Sequence, residues 1–377
     1  MKTTLMLGTT KGAFLAMAEN GGWRITGPHC DGWTINHVNG DPATGHIWAG
    51  GGNDFTGAGI WRSADGGANW QLAHLSSGMM DDFAESDPDF AAMIGWEKRD
   101  YPYGKEIHSI WSIRPAHGRL YAGAKPGNLY VSEDGGESWQ RNAALADFPE
   151  RESWTPGAAG LTLHTILSDP GDPARLWLGI SAVGVFASED GGASWERRNR
   201  LSNTAHEDHS HPAGPCGGEI GHCVHNMQLA GDGRIFQQNH QGTWVSRDGG
   251  RHWDAIGAGL PSAFGFPIAV HPRDADTVWT FPLNGDMEGR FPPDAAAAVW
   301  KSTDGGESWA AKRAGLPGEN CFFTVLRQAM AIDADGQGLY FGTNSGSVFA
   351  SFDEGESWSE IARHLPTVLS VEVMETA

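Results

Sequence analysis

Ser132-Glu133-Asp134-Gly135-Gly136-Glu137-Ser138-Trp139 is one of six copies of the pattern Ser-x-Asp-x-Gly-x-x-Trp in this chain. The others start at Ser63, Ser188, Ser246, Ser302 and Ser351, and their Asp residues are Asp65, Asp190, Asp248, Asp304 and Asp353. Successive Asp residues are 69, 56, 58, 56 and 49 positions apart. A unit recurring at such intervals is the mark of a repeat architecture. The octamer itself reads as a tight turn. Ser and Asp side chains accept from backbone N–H groups inside the turn. Gly supplies the positive φ that the turn needs.

The flanks extend the turn into a sheet. A short apolar strand precedes it, as in Gly346-Ser347-Val348-Phe349-Ala350, and an aromatic strand precedes that, as in Leu339-Tyr340-Phe341-Gly342. A further strand ends near Asp-Pro, as at Asp41-Pro42 and Asp169-Pro170. Each repeat is therefore four short strands, numbered from the inside outward, which is one blade of a β-propeller. The octamer resembles the Asp-box, or BNR repeat, and the chain resembles the sialidase-like Asp-box propellers over nearly its whole length. It is most similar to bacterial BNR-repeat proteins labelled glycosyl hydrolases.

A seventh blade is expected at the N-terminus. Leu7-Gly8-Thr9-Thr10-Lys11-Gly12-Ala13-Phe14-Leu15-Ala16 matches the segment 341–350 and leads into a degenerate turn, Glu19-Asn20-Gly21-Gly22-Trp23. Its missing innermost strand is supplied by Val368-Leu369-Ser370-Val371-Glu372-Val373. The fold expected is all-β: one seven-bladed propeller domain over 1–377, with blade 1 built from 1–27 and 366–377. Closure of this kind removes exposed sheet edges. Met1 to Ala18 carries Lys2 and a short apolar run, as a secretory leader does, but it is read here as two strands of blade 1.

Composition narrows the function. The 377 residues include 53 Gly and 17 Trp, and 26 Lys plus Arg against 46 Asp plus Glu give a net charge of −20. That charge repels nucleic-acid backbones and anionic membranes, so neither is expected as a partner. No apolar run approaches the ~18 residues of a membrane span. Four Cys make no disulfide framework, and the chain is expected in the cytoplasm.

Strand order places a site. The octamer turns join third to fourth strands and lie on one face, where they are structural. Loops between blades, and turns between second and third strands, lie on the other. Three long segments fall on that second face: 74–106, 199–221 and 282–298. Long loops on one face of a rigid scaffold are where function gathers. His37, His108, His164 and His225 stand near the start of the innermost strand in four successive blades, 10, 12, 12 and 10 residues before the second strand opens. Arg327 holds the matching place in blade 7. His240 lies in a second-to-third-strand turn, and Glu219 shortly precedes His225. The candidate catalytic residues are accordingly His108, His164, His225, His240, Arg327 and Glu219. His37, His108, His164 and His225 form the candidate ligand set for a divalent metal, since imidazole is the commonest ligand of transition metals. Arg327 would bind an anionic group and Glu219 would act as acid or base. Further polar runs are the segment His206, Glu207, Asp208, His209 and His211, the thiols Cys216 and Cys223, and the acidic stretch 81–89, the last read as a solvated loop.

The resemblance implies a glycoside-hydrolase-like enzyme acting on a glycan or other small molecule at the face opposite the octamers. It does not extend to a true sialidase. That family uses an Arg-Ile-Pro-type motif and three Arg residues, whereas Trp23-Arg24-Ile25-Thr26 and Trp61-Arg62-Ser63 put their Arg residues on outer strands. Two alternatives stand beside it: a His-ligated, metal-dependent lyase or oxidative enzyme, and a non-catalytic binding or assembly scaffold.

Overall fold

A computed structural model describes residues 2–19, 21–202 and 217–376. Seven small sheets form a seven-bladed propeller. Blade 1 contains Lys2–Thr9, Gly12–Glu19 and Gly22–His29, and Val368–Thr376 completes it as the innermost strand. Leu5 pairs with Val373 and Leu7 with Val371, antiparallel. The other innermost strands are Ile35–Asp41, Ser109–Ala116, Thr162–Asp169, Val224–Leu229, Gly265–Val270 and Met330–Ile332. Each packs against the next, and the strand of blade 7 packs against that of blade 1, so the ring closes. Blade 5 has one extra strand, Arg200–Leu201, which pairs parallel with His252–Ala255.

The octamer turns repeat one hydrogen-bond pattern six times. The Ser Oγ accepts from the Gly N–H at 2.8–2.9 Å and lies 2.7–3.0 Å from the Asp carboxylate. The carboxylate accepts in turn from the backbone N–H four residues on. The Gly of each octamer has φ between 86 and 97°, a region in which a Cβ is strained.

A second device ties blade to blade. Trp48, Trp177 and Trp279 stand on second strands of blades 2, 4 and 6. Their indole N–H groups donate to backbone carbonyls of Gly135, Gly249 and Glu354, in the octamer turn of the following blade. Each wedge is buried, with 0–4 % of its surface exposed. The hydrophobic core is accordingly a series of clusters between adjacent blades rather than one central mass.

The acidic stretch 81–89 is not a loop. It lies in two short helices, Met79–Ser86 and Pro88–Ile94. Asp81 is buried there and accepts from the Gly78 N–H at 2.9 Å, the Trp96 indole at 2.8 Å and the Tyr101 hydroxyl at 2.6 Å. It organises this excursion, and Asp82 pairs with Lys105. His206, Glu207, Asp208, His209, His211 and Cys216 lie outside the described residues.

Candidate functional site

The innermost strands share an irregularity that sequence spacing hides. In five blades one extra residue bulges out of the ladder at the end of the strand away from the octamers. These residues are Leu369, Asn36, Trp111, His164 and His225. A bulge turns a side chain out of strict alternation and re-aims it. Leu369, Asn36, Trp111 and His164 line one small cavity of about 110 Å³ at the channel mouth, together with Arg327. The true equivalents of His164 and His225 are therefore Asn36 and Trp111, not His37 and His108.

The candidate histidines consequently separate. His37 follows the bulge of its strand and faces the other end of the channel. Its Nδ1 accepts from the Ile113 N–H at 2.9 Å, and its Nε2 lies 3.1 Å from Glu372, so both ring nitrogens are engaged. It lines a cavity of about 220 Å³ with Asn39, Arg114 and Gln228. His108 precedes its strand and is half exposed, with Nδ1 3.2 Å from Asp54. Among the described residues, His37, His108, His164 and His225 do not assemble a ligand set. Glu219 is likewise apart. Its carboxylate lies 2.7 Å from His222 Nε2 and 3.0 Å from Arg197. The His222 hydrogen bond, with Arg197 beside it, holds its pKa below the usual glutamate value. A carboxyl so held is a poor general acid at neutral pH.

His164, His225, His240 and Arg327 do converge. His225 is 1 % exposed, and its Nδ1 lies 2.6 Å from the Gly265 carbonyl, which fixes Nδ1–H as donor. Its Nε2 points to Cys223 Sγ at 3.7 Å. The His240 ring is 5.6 Å from the His225 ring, edge to face, and both pack on Phe264. His164 is also 1 % exposed; its Nδ1 meets Thr165 Oγ1 at 3.1 Å, while Nε2 is buried without a hydrogen bond of proper geometry. Burial, reinforced by the Arg327 charge, pushes the pKa of His225 well below its ordinary value and that of His164 down to about 3. Both are neutral at physiological pH.

Arg327 enters from blade 7. Its guanidinium stacks over Phe266, 4.8 Å from the ring centroid, and its Nε is buried without a partner. No carboxylate among the described residues is within ion-pair distance of it. Burial lowers its pKa from the ordinary arginine value; a guanidinium in a protein keeps its charge. The Asp286–Glu288 turn of the 282–298 excursion brings Asp286 and Arg290 to the same place. Asp286 lies 2.5 Å from Arg290 Nε and 3.4 Å from His240 Nε2. Arg290 approaches the same Phe266 ring, at 5.8 Å.

Sequence reasoning missed Trp111, Phe266, Asp286 and Arg290. The excursion 282–298 was visible as a long insertion on this face, but spacing does not show which of its side chains turn inward. Trp111 was hidden by the bulge. Cys223 was visible as a thiol near this loop, and the structure places its Sγ, with one ring nitrogen each from His225 and His240, mutually within 4.8 Å. Among the described residues, these are the ones at this mouth that could hold a metal.

No protein-family model matches the chain. A curated oligoxyloglucan-reducing end-specific xyloglucanase of Emericella nidulans is 28 % identical over 78 residues, covering 20 % of this chain and 9 % of that protein. Among solved structures, the GH74 xyloglucanase of Xanthomonas campestris superposes with a TM-score of 0.63 at 17 % identity, over 95 % of this chain and 52 % of that one. YCF48 from Cyanidioschyzon merolae gives 0.52 at 13 % identity, over 86 % and 84 %. This chain thus spans a small part of the curated relative and about half of the xyloglucanase. At these identities the likeness shows the fold, a seven-bladed propeller with glycoside hydrolases among its neighbours.

Proposed function

We propose that this chain is a glycoside-hydrolase-like enzyme of the Asp-box propeller type, acting on an acidic carbohydrate at the channel mouth opposite the octamer turns. The observation that carries this reading is Arg327. A guanidinium with a buried, unpaired Nε and no carboxylate partner among the described residues is costly by itself. A substrate carboxylate would satisfy it in a charge-assisted, bidentate bond. Trp111 lines the same cavity and gives an apolar face on which a sugar ring can lie. A uronic acid has both groups. The xyloglucanase likeness supports a carbohydrate, although xyloglucan itself offers no anion for Arg327.

The chain's own residues then have distinct tasks. Arg327 binds and orients the anion. His164, neutral, lines the same cavity and can meet a sugar hydroxyl there. Asp286, braced by Arg290, is the carboxylate that abuts His240 and is the candidate to accept a proton there. A non-catalytic acidic-glycan module is the second reading. It is favoured by Glu219, whose engagement leaves Asp286, among the described residues, without a second carboxylate of the kind a two-carboxylate hydrolase uses.

The test is a panel of oligosaccharides with neutral, uronic-acid and sialic-acid termini, assayed with wild type and Arg327→Met. Release from the uronic-acid substrates is expected, with none from the sialoside. Loss of a charged hydrogen bond should lower kcat/KM roughly 10–100-fold in the variant. Turnover confined to neutral sugars, or an Arg327→Met enzyme as active as wild type, contradicts the reading. Binding of the uronic acid without turnover selects the module.

A further inference from the structure

We propose that Cys223, His225 and His240 bind a Zn²⁺ ion through the Cys223 thiolate and one nitrogen of each imidazole. All three come from one end of the blade 5 sheet. Cys223 immediately precedes the innermost strand, His225 is its bulged residue, and His240 sits in the turn between second and third strands. The His240 N–H donates to the Cys223 carbonyl at 3.1 Å, so turn and strand are pinned together. A ligand set carried on one rigid element is held in place before any ion arrives.

The geometry suits a tetrahedral ion. With Zn–S near 2.3 Å and Zn–N near 2.05 Å, a sulfur and a nitrogen on one zinc stand about 3.6 Å apart. Cys223 Sγ and His225 Nε2 are 3.7 Å apart, and the three ligand atoms lie mutually within 4.8 Å. The outer contacts fit as well. A metal-binding histidine commonly donates its other N–H to a carbonyl or carboxylate, which fixes ring and tautomer. His225 does this through Nδ1 to Gly265. Ser181 Oγ, 3.1 Å from Sγ, is placed to donate to the thiolate.

The donor set favours zinc over harder ions. One thiolate and two imidazoles suit zinc, whereas magnesium and calcium take oxygen ligands. Three protein ligands among the described residues leave a fourth position, and such an open position distinguishes catalytic zinc sites from structural ones. Asp286 stands close enough to balance the net positive charge of the loaded site, at 3.4 Å from His240 Nε2. The metal site does not rest on the carbohydrate reading, and it is tested without any substrate.

Purified full-length protein, incubated with Zn²⁺ and dialysed, should carry one zinc per chain by elemental analysis. Replacement by Co²⁺ should give a near-ultraviolet thiolate-to-cobalt band and visible d–d bands of tetrahedral intensity. Cys223→Ser should abolish the charge-transfer band, and His240→Gln should lower zinc affinity at least tenfold. Cys321→Ser, which removes a buried thiol in another part of the fold, should change neither. Wild type that retains no zinc and shows no thiolate-to-cobalt band overturns the proposal, and this result does not depend on whether any variant folds. A Cys223→Ser protein as rich in zinc as wild type also overturns it. Neither result bears on uronic-acid binding by Arg327, so the two readings fail separately.

Discussion

His164 and Arg327 set the electrostatic character of the mouth. A buried imidazole beside a half-buried guanidinium is held neutral, and the guanidinium, whose Nε is buried, lacks a carboxylate of its own among the described residues. This has a consequence for stability. In the unfolded chain His164 returns to its ordinary value of 6.5, against about 3 in the fold. Above pH 6.5 both states are neutral and there is no penalty. As pH falls below 6.5 the unfolded state takes up a proton that the folded state refuses, and stability drops until about pH 3. Chemical denaturation between pH 7.5 and 4.5 should show this decline, and His164→Gln should flatten it. An unchanged slope in the variant would assign the decline to other groups. Much of this residue set was legible in the sequence: His164, His225, His240 and Arg327 fell where strand order placed the open face. His37, His108 and Glu219 were not separable from them, because a bulge shifts alternation by one residue and leaves no mark in composition.

The octamer turn is the element on which the fold depends, and its pattern was readable in full from Ser, Asp and Gly. Ser132 shows why. Its buried Oγ accepts from the Gly136 N–H at 2.9 Å and lies 2.7 Å from Asp134. Ser132→Ala leaves that N–H unsatisfied, and should cost about 1–3 kcal/mol in urea-unfolding experiments. A variant as stable as wild type would mean that water replaces the hydroxyl. The Asp residues add a pH dependence of their own. Hydrogen bonds from Asn69, Ser194 and Ser308 hold Asp65, Asp190 and Asp304 near a pKa of about 2, below the ordinary 3.8. The stability they contribute is complete above about pH 4 and is lost as pH falls toward 2. The unfolding temperature should therefore fall more steeply below about pH 4, where the loss at these carboxylates adds to the histidine effect. The wedges Trp48, Trp177 and Trp279 were not legible at this level, since a Trp in a second strand does not say which blade it reaches.

At the scale of the whole molecule, the ring is closed by one strand. Val368–Thr376 pairs with Lys2–Thr9, and Leu5, Leu7 and Val371 are fully buried in that sheet. Removing residues 367–377 leaves blade 1 without its innermost strand and opens a strand edge beside the channel. The shortened chain should unfold at a markedly lower temperature, and should regain stability when a peptide of that sequence is added. A truncation without effect on Tm would contradict closure by this pairing. The match between the N-terminal segment and 341–350 made this legible, because a blade that starts at its second strand needs a first strand from elsewhere. Six of the innermost strands are bulged or irregular at their ends around one mouth, and function turns on what that mouth binds. The most direct measurement is a crystal structure of the protein soaked with a glucuronate-terminated disaccharide. The carboxylate is expected at hydrogen-bond distance from Arg327, with the sugar ring against Trp111. A ligand bound at the octamer face, or a mouth that excludes the acidic sugar and takes up a neutral one, would contradict it.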